Sequence, residues 1–201
     1  MSNGNIIVFF DLETSGLKET SEIIQIAAVA VRSTDFTVLE PRFHRRVFFD
    51  EENAEPRALE INHYDKALWD ETATSIYTAL RDFYDWLTNN RFKTVAMTSA
   101  RGGRYWIAQL AGYNSQEFDA KRLRAAHENA GLFYPAHYRT LDVMQMAGWS
   151  FVGLPDQPTS LKLTDVCDFL HIPVGNAHDA KADVDLTVEV ARKLMPTPQL
   201  D

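Results

Sequence analysis

Asp11 and Glu13 close an apolar run, Ile6 to Phe10, and a spacing of two on a strand points both carboxylates to one side. Like charges held that close repel and raise one pKa unless something positive lies between them, and a divalent cation fills that role. The pair therefore reads as the start of a metal site. Asp-Leu-Glu-Thr-Ser-Gly also holds good turn and cap residues, so an ordinary turn is the competing reading. Further carboxylates in compatible positions decide between the two.

Asp119 follows Gly112-Tyr113-Asn114, where a strand yields to a helix, so it projects from the first turns of that helix. An acidic residue there also complements the macrodipole without any further role. His178 and Asp183 open the last helix. A five-residue offset turns through about 140° on a regular helix, so the two share a face only if His178 lies in the preceding loop. Asp179 is a suitable N-cap for that arrangement, with Asp183 in the second turn. A surface histidine and a solvated acidic face are the alternatives.

The elements that must position these groups follow from periodicity and breakers. Ile23 to Val31, interrupted by Gln25, and Phe43 to Phe49 read as strands that form a meander with the first. Pro56 opens a short helix, and Ile76, Leu80, Phe83 and Leu87 place an amphipathic helix over 74–87. Val95 to Met97 and Ile107 to Tyr113 form the next strand region, with helix 115–129 after it. Leu141 to Met146 is apolar without a clear period, and 151–158 is a loop. Helices follow over 160–170 and from Asp179 to Met195, with Pro173 and Gly175 between them. Strands first and then strand-helix alternation predict one α/β domain with a mixed sheet over 1–195, and a C-terminal tail over 196–201.

Composition supports a globular chain: 201 residues, 45% hydrophobic and 24% charged. The single cysteine, Cys167, forms no internal disulfide, and the start lacks a signal-peptide pattern, so a cytoplasmic, intracellular setting is expected. No apolar stretch approaches a membrane span, so no membrane partner is expected. A formal net charge of -8 excludes a broadly basic nucleic-acid coat but not a nuclease, whose bound cations reverse the local sign.

The order Asp11, Glu13, Asp119, His178, Asp183 resembles the DEDDh (DnaQ-like) 3′-5′ exonuclease family. The likeness runs from Ile6 to about Met195, and three separated motifs agree. Gly112-Tyr113-Asn114 through Asp119, Leu141-Asp142-Val143-Met144 and Asn176-Ala177-His178-Asp179-Ala180 through Asp183 are most similar to the exonuclease domain of exonuclease I. The resemblance implies a ribonuclease-H-like fold, a five-stranded mixed sheet flanked by helices. It also implies a metal-dependent 3′-to-5′ exonuclease acting on single-stranded DNA (or RNA) 3′ ends and releasing nucleoside 5′-monophosphates.

On that reading Asp11, Glu13, Asp119 and Asp183 hold two divalent cations, Mg²⁺ or Mn²⁺, whose charge balances the four carboxylates. Glu13 and His178 are the catalytic pair, with neutral His178 as general base. Thr14, Leu17 and Asn114 are candidate substrate contacts, Leu17 as an apolar wedge beside the terminal base or else a core plug. Lys121, Arg122 and Arg124 offer phosphate contacts, although exposed helical cations are commonly just solvated. Arg101-Gly102-Gly103-Arg104-Tyr105-Trp106 joins cations to aromatics in a way that suits a single strand, or is simply a turn. RNA trimming by a relative, or a polymerase-associated binding module, are the competing functions.

Overall fold

An apolar run with no polar alternation needs cover on both faces, and β1 (Ile6–Thr14) receives it at the centre of the sheet. The computed structural model describes residues 6–18, 20–175 and 179–195. Val8, Phe10 and Leu12 point into one hydrophobic core, and Phe9 with the partly buried Ile7 points into a second on the opposite face. Asp11 and Glu13 continue the Ile7-Phe9 side.

β1 pairs antiparallel with β2 (Ile23–Arg32), and β2 pairs antiparallel with β3 (Val38–Val47), completing the expected meander. α1 (Pro56–Ile61) begins at the proline, which lacks the N–H a first helical turn leaves idle. α2 (Lys66–Thr72) follows, and β4 (Ala73–Thr74) adds two residues parallel to β3 at the sheet edge. α3 (Ile76–Asn89) is capped by the Ser75 hydroxyl, which accepts the Thr78 N–H, and buries Leu80, Phe83 and Leu87 as their spacing predicts.

The apolar run 107–113 does not form one strand. β5 (Val95–Thr98) pairs antiparallel with β6 (Arg104–Ile107) in a separate two-stranded sheet. β7 (Gln109–Gly112) then enters the main sheet parallel to β1. Between them the Ala108 N–H donates to the Pro135 carbonyl at 2.9 Å and its carbonyl accepts the His137 N–H, so this residue turns the chain from one sheet to the other. Apart from Gln109 the run is apolar on both sides of Ala108, and composition alone does not mark the break.

α4 (Asp119–Asn129) starts four residues later than its pattern suggests, because residues 113–118 form a turn. The ambiguous piece after it resolves into β8 (Leu141–Asp142), parallel to β7, and α5 (Val143–Phe151), which extends into the expected loop. α6 (Leu163–Phe169) and α7 (Ala180–Leu194) complete the chain. The main sheet has the order β4-β3-β2-β1-β7-β8, six strands where five were expected, with the two-residue β4 at its edge. α3 and α4 cover one face, and α5, α6 and α7 cover the other. The predicted tail, 196–201, lies outside the described residues, and no helix among those described is long and apolar enough to cross a membrane.

Candidate active site

The central strand carries Asp11 and Glu13 to its C-terminal end on the face where α7 packs. Ala180, Val184, Val188 and Ala191 form the buried stripe of α7, and the small alanines of β2 and α7 let helix and sheet approach closely. Asp183 is thereby set beside the strand. One carboxylate oxygen from each of Asp11, Glu13 and Asp183 lies within 4.8 Å of the others, although Asp183 is remote in sequence.

Asp119 is the first residue of α4 and is buried. Its position depends on the tight turn after β7. A Cβ on Gly112 would stand 2.6 Å from the Ser115 Cβ and 2.9 Å from the Phe10 carbonyl oxygen, so only glycine lets this turn press against β1. The Asp142 carboxylate accepts the N–H groups of Asn114 (3.2 Å), Gln116 (3.3 Å) and Met144 (3.0 Å), tying the turn to the start of α5. Asn114 takes a left-handed backbone, φ 53°, and its side chain is exposed.

Burial is the first cause of the raised pKa values here, and for Asp11 and Glu13 mutual repulsion is the second. Asp11 is pushed well above the carboxylate range by desolvation and then by Asp119, Glu13, Asp183 and Asp179, all acidic. Desolvation, Asp183, Asp119 and Asp179 take Glu13 to about 8. Asp119 rises to about 7 through burial, restrained by the backbone N–H groups of Leu12 and Asp119 itself and by Arg122. A cluster of hard oxygen donors that repel one another in a half-buried recess fits a hard divalent cation, which removes the repulsion and displaces the protons.

The remaining candidates fall into three groups. His178 lies outside the described residues; Asp179, which follows it, caps α7 by accepting the Lys181 N–H at 3.2 Å, as expected. Thr14 and Leu17 lie in the segment that leaves β1. Thr14 is buried at a register shift, its hydroxyl donates to the Gly16 carbonyl at 2.8 Å, and its carbonyl accepts the Asn62 side-chain amide. Leu17 is 78% exposed, which excludes the core-plug reading. The cations of α4 are engaged within the chain. Arg122 donates to the Leu17 and Lys18 carbonyls at 3.0 Å, Arg124 donates to the Tyr138 carbonyl, and Lys121 pairs with Glu117.

Gln25, Asn62 and Arg122 hold the site in ways the sequence did not announce. Gln25 faces Glu13 across the β1–β2 ladder, is 4% exposed, and accepts the buried Ala180 N–H at 3.2 Å. It therefore fixes the first turn of α7 against the strand that bears the acidic pair. Its one sequence signal is a polar residue inside an otherwise apolar strand.

A mixed sheet that gathers carboxylates at the end of its central strand and the start of its last helix defines a nuclease-type metal centre. The chain belongs to the RNase_T exonuclease family, whose model matches residues 8–191, in agreement with the DnaQ-like 3′-5′ exonuclease resemblance. No curated protein matches it. Among solved structures, it is similar to E. coli exonuclease I in complex with a dT13 oligonucleotide, with a TM-score of 0.73, 18% identity, and coverage of 94% of this chain and 41% of that one. A second exonuclease I structure, described as suggesting how processivity is achieved, gives 0.74, 20%, 97% and 41%. A third, the ExoI/SSB-Ct complex, gives 0.72, 17%, 98% and 42%. The chain thus spans about two-fifths of the length of these structures, and at these identities the likeness shows the fold.

Proposed function

We propose that residues 1–195 form a metal-dependent 3′-to-5′ exonuclease domain that hydrolyses phosphodiester bonds of single-stranded nucleic acid, DNA ahead of RNA, releasing nucleoside 5′-monophosphates. The observation that carries this reading is the convergence of Asp11, Glu13 and Asp183 within 4.8 Å, inside a chain whose family is exonucleolytic. The presence of dT13 in an exonuclease I structure of the same fold favours single-stranded DNA.

Asp11, Glu13 and Asp183, with Asp119 behind them, would hold two cations, Mg²⁺ or Mn²⁺. When bound, such ions neutralise the phosphate, lower the pKa of water and stabilise the departing 3′ oxygen. The protein does the rest. His178, next to the N-cap of α7, takes the proton of the attacking water in its neutral form. Leu17, displayed at the end of a segment pinned by Asn62 and Arg122, meets the terminal base as an apolar wedge. Thr14 and Asn114 border the terminal nucleotide.

Incubation of 5′-labelled single-stranded DNA, duplex DNA and RNA with and without Mg²⁺ or Mn²⁺ tests the proposal. A cation-dependent ladder shrinking from the 3′ end of single-stranded DNA is expected. Internal cuts, or binding with no shortening of any substrate, would overturn it, and a faster ladder on RNA would reverse the sugar preference.

A further inference from the structure

The sheet's other end carries a surface of opposite character. Residues 86–116 contain Arg91, Lys93, Arg101 and Arg104 and no aspartate or glutamate, in a chain of formal net charge -8. The β5–β6 hairpin occupies the middle of this stretch. Arg104 and Trp106 alternate onto its outer face, directly opposite Thr98 and Ala96, whose small side chains leave the indole uncovered. Trp106 is 53% exposed.

Beside the hairpin lies a cavity of about 560 Å³ lined by Tyr84, Lys93, Ser99, Tyr105, Trp106 and Phe133. Tyr105 and Phe133 meet edge to face with centroids 5.9 Å apart, and the Lys93 ammonium sits 4.4 Å from the centre of the Tyr84 ring. Rigid aromatic rings beside cations are the elements that stack unpaired bases and hold the backbone between them. The turn 99–103, with Gly102 at φ +81°, presents Arg101 at the tip of the hairpin.

This surface is separate from the acidic site. β7 leaves the hairpin and pairs at its first residue with Ile7, six residues before Glu13, which sets the two about 20 Å apart along the strand.

We infer that the β5–β6 hairpin and its aromatic cavity form a second contact for single-stranded nucleic acid, engaging the strand away from its 3′ end. The inference rests on the proposed substrate class and adds to it a binding surface that needs no terminus. Positive charge attracts the polyanion that the acidic remainder of the chain repels, and exposed rings select unpaired bases over a duplex.

The test uses the full chain without divalent cation and a circular single-stranded DNA, which offers no end to the acidic site. Fluorescence anisotropy is expected to show salt-sensitive binding that Arg101→Ala/Arg104→Ala/Trp106→Ala weakens about tenfold or more. With Mg²⁺ then supplied, the same variant should hydrolyse a linear strand of about 5 nucleotides within about twofold of the wild-type rate, which shows that its fold is intact. Absence of circle binding, or equal affinity of variant and wild type, overturns the inference. Equally tight binding of polyglutamate of matched charge also overturns it, since stacking would then contribute nothing. A wild-type protein that binds the circle through the hairpin but never shortens a linear strand supports this surface and removes the exonuclease reading instead.

Discussion

The two ends of β1 differ in charge, burial and internal conflict. At its C-terminal end, acidic groups from β1, α4 and α7 crowd a half-buried recess, where burial and their repulsion raise the pKa values of Asp11 and Glu13. Beyond its N-terminal end, Arg101, Arg104 and Trp106 stand on an exposed hairpin, and beside it Lys93 rests on the Tyr84 ring of α3. The acidic end gathers like charges in a recess, whereas the basic groups lie on the surface. Under the proposed function, the first region performs chemistry and the second retains the strand.

The sharpest way to break this contrast is to remove charge from the acidic end. Asp11→Asn is expected to lower turnover by about 10³-fold or more and to abolish cation binding by calorimetry. His178→Ala should lower turnover by about 10²–10⁴-fold while cation binding persists. Cation binding lost in both variants would make His178 a ligand rather than a base. Wild-type turnover in His178→Ala would remove its role.

A smaller effect, read in stability, follows from the raised Glu13 value. A carboxyl whose folded pKa lies above its unfolded one contributes stability that is complete below the unfolded value. That contribution is lost as pH rises through the folded value. For Glu13 this window runs from 4.5 to about 8. Urea unfolding of EDTA-treated protein should therefore show stability falling across this range, by about 1–3 kcal/mol after allowance for solvent at the half-buried group. Glu13→Gln should lessen the fall, with Asp11 and Asp119 supplying the remainder, and Mg²⁺ should remove it in the wild type. A pH-independent midpoint in the wild type would show that the cluster is not in conflict.

The smallest effect concerns positioning. Gln25→Ala leaves the fully buried Ala180 N–H without its side-chain acceptor, at a cost of about 1–3 kcal/mol. Turnover should fall by about tenfold as Asp183 loses its fixed place, with cation affinity weakened in parallel. Unchanged turnover with lowered stability would make Gln25 a purely structural cap.

Much of this arrangement was legible in the residues. The meander, the α3 face, the cap at Asp179 and the acidic pair follow from period, propensity and spacing, which are local properties. The division of 107–113 between two sheets was not legible, because Ala108 changes partners through contacts with residues 135–137 that no neighbouring residue encodes. The later start of α4 was hidden for a similar reason, since the turn before it is held by Asp142. Gln25 was visible as an interruption in an apolar strand, but its partner is 155 residues away.

By itself the sequence determined which groups were present and how each was aimed locally: two carboxylates on one side of a strand, one at a helix start, one in the first turns of another. The tertiary structure decided that these groups meet, because α7 lies against β1 and β2 through a stripe of small and branched residues that brings Asp183 to Asp11. It also decided that Leu17 faces solvent and that Arg122 and Arg124 of α4 serve the chain's own carbonyls. Strand and helix periods act over a few residues, whereas the crowding that shifts these carboxyls arises only when segments distant in the chain exclude water together.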